Sequence, residues 1–390
     1  MGLGDGIRNN VYMLGAVSFL TDVSSEMIFP ILPVFLTTFL GAGKEIVGLI
    51  EGVADSLSSL LDILIGYWAD ASGDRKKFVF YGYGLSSFSK IGIALAASWP
   101  VVLVFRGLDR IGKSVRTSPR DAIIAGSSDQ SVRGKAFGLH RAMDTLGAIA
   151  GPAIAYGVFA AMGSGIGAYR VIFYAALAPA FLAVLVIVLF VREPKNKGEK
   201  IGKKPNFWES LRLLGPDYKR FLLISCIFSL SYFSFALFIV RANDIGASAG
   251  EIILVYIIYN IVYALASTPM GQLSDAFGRR KVIAAAFVLY ALVTLGFALA
   301  GSLWQLALLF AVYGVFVATD ESVNKAYVSD LSGEKNRGIA LGAYNTAVGA
   351  VYLPASALFG FAWATYGVIP AFGAAAALAL VSGLAMALTK

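Results

Sequence analysis

Long apolar stretches recur along this chain so closely that almost nothing else fits between them. They predict helices at 11–39, 46–68, 78–97, 100–124, 135–161, 168–191, 220–242, 250–271, 281–300, 303–328, 338–363 and 367–389. One crossing of a bilayer takes about 20 apolar residues, so twelve crossings consume nearly all 390 residues. No length is left for a soluble catalytic domain. The expectation is an all-α membrane protein that is not an enzyme, with its function seated inside the membrane. Composition agrees, since 58% of residues are hydrophobic and only 14% are charged, far from the balance of a soluble domain. The first ten residues lead into a segment carrying Asp22 and Glu26 with no small-residue cleavage site, so this segment is expected to be retained rather than removed as a signal peptide.

The charges that remain are informative because they are few. One cysteine, Cys226, and one histidine, His140, rule out a disulfide framework and a Cys/His metal cluster, and no cofactor is expected. The net charge of +8 is spread over many loops of an apolar chain, so it reads as bilayer orientation and not as a nucleic-acid surface. The fourth segment is the least apolar, with Arg106, Asp109, Arg110, Lys113, Arg116 and Arg120. Facing lipid, such groups would cost about 2.5–3.5 kcal/mol apiece. Counting the segment as a span leaves only Lys44, Arg170 and Arg241 in external loops, whereas omitting it puts the cation-rich run 192–220 outside. The positive-inside rule therefore favours twelve spans with both termini cytoplasmic. The charges of segment 4 must then face a protein interior. The expected setting is a prokaryotic plasma membrane, with the protein embedded in the bilayer as a monomer.

The run 192–219 holds Pro194, Pro205 and Pro216 and reads as a cytoplasmic linker between two six-helix bundles, 1–191 and 220–390. An internal repeat supports that division. GYWADASGDRKK starts at Gly66 and GQLSDAFGRRK at Gly271, so Gly66, Asp70 and Gly73 match Gly271, Asp275 and Gly278 at an offset of 205 residues, with Arg75 and Arg279 following. Arg133-Gly134 matches Arg337-Gly338 at an offset of 204. The chain reads as duplicated.

At these residues the sequence resembles the major facilitator superfamily of secondary transporters, whose G-x-L-a-D-r-x-G-R-K pattern follows helix 2 and is echoed after helix 8. The first copy departs from it at Trp68, Ala71 and Asp74. The glycines permit a tight turn and close helix approach, the aspartate accepts hydrogen bonds at a helix N-terminus, and the cations anchor the loop. The resemblance implies a conformational latch in which Asp70 engages the start of helix 11 near Gly338. Segment 5 carries Gly138, Gly147, Gly151 and Pro152, a spacing similar to the antiporter motif of proton-coupled drug exporters in that superfamily, although Ala155 and Tyr156 replace its closing Gly-Gly. Glycines so spaced let a neighbouring helix approach backbone to backbone, and the proline kinks the helix; generic small-residue packing is the other reading. In segment 4, Arg106, Asp109, Arg110 and Gly112 resemble the R-x-x-q-G-x-g stretch, whose arginine the family assigns to proton transfer. Arginine does not deprotonate at useful pH, so its action there must be electrostatic tuning of a carboxylate.

Ionisable groups within spans are functional-site hypotheses by default. Asp22 and Glu26 are four apart and share one face of segment 1; Glu51, Asp55 and Asp62 cluster on one face of segment 2; the charges of segment 4 form one stripe. Segment 5 puts His140 one turn from Asp144, with Arg141 alongside, and Lys90 lies within segment 3. The second half is drier, with Asp320, Glu321 and Lys325 in segment 10 and Asn260 in segment 8. In the superfamily, helices 1, 4, 7 and 10 line a cavity. The resemblance thus sets Asp22 and Glu26 against Arg106, Arg110, Lys113 and Arg116, with Tyr232, Phe233, Phe235, Phe238, Asp320 and Glu321 opposite. Asp22, Glu26, Asp109 and Asp144 are the proton-coupling candidates; fixed ion pairs are the alternative for each, favoured for Asp109 and Asp144. His140 reads as a satisfied polar residue, and Arg241 and Asp244 as interfacial charges.

The expected function is secondary active transport by alternating access, a proton antiport that exports a small amphipathic compound. No G-x4-G-K-[ST] loop is present, so ATP drive is not expected. Uptake or exchange of an anionic metabolite, gripped by Arg110, Lys113 and Arg116, is the second transport reading. A lipid-handling protein or a transport-inactive sensor on the same scaffold is the reading from another class.

Overall fold

A computed structural model describes residues 9–72, 74–193 and 214–389. Most of the expected linker lies outside them. The described residues form twelve spanning helices and no strand. The first six are α1 (Asn9–Thr38), α2 (Lys44–Ser72), α3 (Arg75–Leu95), α4 (Trp99–Gly126), α5 (Arg133–Met162) and α6 (Ile166–Phe190). The next six are α7 (Pro216–Asp244), α8 (Ala249–Phe277), α9 (Arg279–Leu299), α10 (Leu303–Ser332), α11 (Ala340–Tyr366) and α12 (Val368–Leu388). Among the described residues nine of these are long and apolar enough to cross a bilayer by composition alone. The other three are α2, α3 and α4, which carry Glu51 and Asp55, Lys90, and the stripe from Arg106 to Arg120.

Helix direction verifies the crossing of α4. A Cβ added at Gly147 would meet Phe19 O, and one added at Gly151 would meet Val23 O, both at 2.5 Å. Four residues along α5 match four residues along α1, so these helices run parallel. Parallel first and fifth spans need an even number of reversals between them: four if α2, α3 and α4 all cross, but three if α4 does not, so α4 crosses.

Residues 329–337, expected as a loop, differ from the prediction: helical backbone continues from Leu303 to Tyr366. That helix nonetheless doubles back. Phe221 lies 4.9 Å from the ring of Tyr327 and 5.7 Å from that of Tyr344, although 17 residues of straight helix would separate those two by about 25 Å. The turn between α10 and α11 is therefore made within helical hydrogen bonding. Two other spans are interrupted. α1 breaks at 29–31, beside Pro30, which lacks a donor for the helix, and α7 breaks at 232–234, where Ser234 Oγ accepts from Ala236 N to start the next stretch.

The repeat is visible in helix lengths. α2 and α8 both have 29 residues and start 205 apart, at Lys44 and Ala249; α3 and α9 both have 21 and start 204 apart, at Arg75 and Arg279. The one-residue step falls at Asp74. This residue has no counterpart in the second copy, where Gly278, at φ 90°, leads directly into α9. Asp74 instead caps α3: its carboxylate accepts from Lys77 N at 3.3 Å and pairs with Lys77 Nζ at 2.7 Å. Its hydrogen bond to Lys77 holds the carboxyl below the usual carboxylate range, so the cap is lost only as pH falls through that lowered value.

Backbone contacts divide the chain into two compact units, residues 1–35 with 57–204 and residues 36–56 with 205–390. In the first, Val11, Leu14 and Val17 of α1 pack with Val79 and Tyr83 of α3, Ile123 of α4 and Ile187 of α6. In the second, the first half of α2 lies along α11. Ser56 Oγ donates to Gly349 O at 2.7 Å and accepts from Leu353 N at 2.8 Å, while Cβ atoms added at Gly52 or Gly360 would touch the facing backbone. Small residues four apart thus make a backbone-to-backbone seam.

The three cations placed in external loops by charge parity are all engaged. Arg170 on α6 donates to the carbonyls of Ala94 and Ala96 at the C-terminus of α3. Arg241 on α7 donates to those of Phe297, Ala298 and Ala300 at the C-terminus of α9, at 3.0, 3.1 and 3.2 Å. Ala94 and Ala96 are the repeat counterparts of Ala298 and Ala300, so equivalent helix ends are capped by arginines from non-equivalent helices. Lys44 pairs with Asp244 at 3.1 Å and lies over Trp363. Arg241 and Asp244 are therefore structural partners, a correction to the reading that made them interfacial charges alone. Helix-end carbonyls without donors are unsatisfied, and a charged hydrogen bond contributes about 1.5–3 kcal/mol. Arg241→Met is expected to lower the melting midpoint in detergent by several degrees, read by heating followed by size exclusion; an unchanged midpoint would refute the capping role.

Candidate functional site

In the first unit the site is built where α5 meets α1. Gly147 and Gly151 bring the two backbones together, as the spacing predicts; Gly138 does not, because a Cβ there would meet nothing within 4 Å. Pro152 is buried in the same helix. The approach sets α1 carboxylates on α5: a Cβ at Gly147 would lie 2.9 Å from Asp22 Cβ, and one at Gly151 3.1 Å from Glu26 Cβ. Asp144, three residues before Gly147, then lies within hydrogen-bonding reach of Asp22. Ser18 Oγ donates to Asp144 Oδ1 at 2.7 Å, and Arg141 Nη1 to Asp144 Oδ2 at 3.1 Å. Two carboxyl groups hydrogen-bond only if one carries a proton. Asp22 and Asp144 stand as a carboxyl pair at the glycine seam.

The stripe on α4 divides. Arg106, Asp109 and Arg116 are buried. Arg106 Nη1 is 3.6 Å from Asp109 Oδ2, with its guanidinium over Phe29. Arg116 Nη1 donates to Ser86 Oγ at 2.5 Å and lies over Tyr83. Ser86 Oγ in turn donates to Asp109 O at 3.1 Å. These contacts turn one edge of the stripe toward α3. Lys90 of α3, 3% exposed, donates to Ser24 and Ser25 of α1 at 2.7 and 3.0 Å. Arg110 is half-buried and Lys113 exposed, and Lys113 acts electrostatically on Asp22. Lys90 is also within electrostatic range of Asp22, and Arg120 of Asp144. His140 is buried, yet its Nε2 has no hydrogen-bond partner among the described residues, contrary to the expectation of a satisfied side chain.

The second unit places aromatic rings around one acid. Tyr232 of α7 lies 5.9 Å from Tyr352 of α11 and 5.6 Å from Phe316 of α10, and Tyr313 Oη donates to Tyr232 Oη at 3.4 Å. Phe235 packs 4.9 Å from Tyr259. Phe233 and Phe238 are fully buried and belong to the core rather than to a wall. Asp320, half-buried, accepts from Asn324 Nδ2 at 2.6 Å. Glu321 is exposed and accepts from Tyr263 Oη at 2.6 Å. The tyrosines carried no charge or motif to single them out in the sequence, apart from Tyr232; α8 and α11 contribute theirs only through helix packing.

Of the duplicated loop, Gly73 lies outside the described residues, as do the surroundings of Gly66 and Gly338 and the side chain of Asp70. In the second copy Arg279 pairs with Asp275 at 3.2 Å and with Asp330 near the end of α10. Gly271 meets nothing within 4 Å, so it is not a close-approach glycine, while the positive φ of Gly278 is the tight turn that the motif predicts. Arg75 opens α3.

The profile of the Major Facilitator Superfamily matches residues 14–241 and 221–390. An uncharacterised transporter of that type from Methanocaldococcus jannaschii is 40% identical over 363 residues, 92% of this chain and 89% of its own. Multidrug resistance protein 1 of Bacillus subtilis is 26% identical over 352 residues, covering 86% and 85%. Among solved structures, the nucleoside transporter NupG superposes with a TM-score of 0.83 at 15% identity over 98% of this chain and 100% of that one. A peptide transporter, POT, gives 0.79 at 14% identity over 97% and 94%. At those identities the likeness is one of fold.

Proposed function

Because the chain belongs to the Major Facilitator Superfamily, and is therefore a membrane transporter, we propose that it is a proton-coupled antiporter that exports a small amphipathic compound by alternating access. The observation that carries this reading is the Asp22–Asp144 pair at the glycine seam. While one proton is held, the pair bears a single negative charge; release leaves two like charges in contact, which favours any rearrangement that parts them or draws Lys113 closer. Proton occupancy is thereby linked to helix position. Glu26, one turn along α1, belongs to the same face, while Asp109 is committed to Arg106 and serves as a fixed partner. Relatives named multidrug resistance proteins support the export direction. The duplicated loop acts as a latch, with Arg279 tying α8 and α9 to α10 in the second unit. The protein works as a monomer in a prokaryotic plasma membrane with both termini cytoplasmic.

Uptake or exchange of an anion is the second reading. Arg110 favours it, because its buried Nε has no hydrogen-bond partner among the described residues. Purified protein in sealed vesicles with an imposed pH gradient separates the two, using cationic dyes and organic anions as probes while internal pH is followed. Substrate-dependent proton movement that disappears in Asp22→Asn and Asp144→Asn supports antiport. Gradient-driven accumulation in both variants would end it, and anion uptake abolished by Arg110→Gln would establish the second reading.

A further inference from the structure

Asp320 and Asn324 are one turn apart on α10, and together they present acceptors without enough donors. Asn324 is 4% exposed, and its Nδ2 donates to Asp320 Oδ1 at 2.6 Å. Facing a carboxylate, the amide must turn its nitrogen inward, which fixes the assignment of its two ends. Its Oδ1 is then left with no hydrogen-bond partner among the described residues. A buried acceptor in that condition is normally satisfied by something. Nor does the carboxylate have a cation: among the described residues no Lys or Arg lies within 4 Å of Asp320. Lys325, five positions on, is about 140° around the helix and exposed, and it reaches Asp320 electrostatically without an ion-pair contact.

The surroundings suit a positive group with an organic body. The phenols of Tyr232, Tyr344 and Tyr352 lie within electrostatic range of Asp320. Tyr232 and Tyr352 are partly exposed and in edge-on contact at 5.9 Å and 64°. Aromatic faces attract cations and repel anions, and the attraction strengthens when the site is desolvated. A metal ion would find too few oxygen ligands here, and among the described residues no cluster of three His, Cys, Asp or Glu forms a metal site.

We infer that Asp320 and Asn324, walled by Tyr232 and Tyr352, bind an organic cation that carries N–H donors, a protonated amine with an apolar body. One N–H is received by the free Asp320 oxygen, a second by Asn324 Oδ1, and the body lies on the tyrosine rings. This rests on the transport reading above and names the class of compound it carries. A quaternary ammonium keeps the charge but has no N–H for Asn324, so it binds less tightly. A carboxylate of the same size is excluded.

Three matched probes test this by equilibrium binding to purified protein in detergent, with no gradient: 4-phenylbutylamine, its N,N,N-trimethyl derivative and 5-phenylpentanoate. The amine is expected to bind at least about tenfold more tightly than the trimethyl compound, and the acid not measurably, as charge-assisted hydrogen bonds require. Asp320→Asn is expected to weaken the amine at least about tenfold, whereas Asn324→Leu removes the preference for amine over trimethyl compound. Equal binding of the amine to wild type and Asp320→Asn, tighter binding of the acid, or no binding of any probe would overturn the assignment. The wild-type order decides the matter even if a variant misfolds. Because no proton gradient is present in the binding assay, amine binding by the wild-type protein together with no amine-dependent proton movement by that same wild-type protein in vesicles would sink antiport and leave this site standing.

Discussion

Oxidation of a variant carrying Gly52→Cys and Ser356→Cys, with Cys226→Ser to remove the native thiol, is expected to stop transport, and reductant to restore it. The geometry is close to that of a disulfide before any movement. A Cβ built at Gly52 lies 3.2 Å from Ser356 Cβ and 3.1 Å from Leu353 Cα, while disulfides hold their Cβ atoms about 3.8 Å apart. The few tenths of an ångström by which α11 must give way for the new side chain move the pair toward that separation. Formation should therefore be rapid with mild oxidant and visible as a mass change.

The functional consequence follows from where α2 belongs. Its first half, to Ser56, packs within the second unit, and its residues from Leu57 pack within the first, where Ser114 Oγ of α4 donates to Ser58 O at 2.9 Å. One helix thus serves both units. Alternating access requires some non-covalent seam to part in each cycle, and the Gly48, Gly52 and Ser56 seam has no large side chain to interlock. A covalent tie removes that freedom. Transport below about a tenth of the reduced level is expected, since gating motions are obligatory steps in such a cycle. Each single-cysteine variant should keep most of its activity. Complete cross-linking with transport intact would show that this half of α2 stays on α11 throughout.

The sequence carried the fold further than the site, for physical reasons that particular residues show. Spans are imposed by the bilayer's thickness and need no knowledge of tertiary contacts, so even α4 was placed correctly by charge parity alone. The change of repeat offset from 205 to 204 lay in the sequence, but only the capping role of Asp74 explains it. What was not legible is how a polar face is shared among neighbours. The charges of α4 spread over about 120° of its circumference, more than one partner helix covers, so the stripe had to split. Periodicity could not say that Arg116 would turn to α3 and Arg106 to Phe29 of α1 while Arg110 and Lys113 stayed accessible. The same limit hid the partner of Asp22. Helix 4 was the obvious counter-surface by charge, but the closest approach is made by α5, where glycine removes the side chains that would hold two backbones apart. Likewise Arg170 and Arg241 read as loop cations, because a helix-end carbonyl has no signature in sequence.

That distinction between close and distant glycines on α5 sets the second large effect. Gly151→Ala places a Cβ 2.5 Å from Val23 O and 3.0 Å from Met27 N, both backbone atoms of a helix that cannot swing aside as a side chain would. Overpacking of this kind costs about 1–3 kcal/mol, so the melting midpoint should fall clearly. Gly151→Leu should give no folded protein. Gly138→Ala, in the same helix and the same motif, meets open space and should be neutral or stabilising by about 0.4–1 kcal/mol through the unfolded state. If all three glycines served only as generic helix packing, the alanine variants would shift alike. The seam also makes a kinetic prediction: since α1 displaced at Gly151 carries Glu26 and Asp22 away from Asp144, the folded fraction of Gly151→Ala should lose substrate-dependent proton movement. Gly138→Ala should retain it. Equal midpoints and equal proton movement in the two variants would show that the carboxyl pair does not depend on the close approach of α1 to α5.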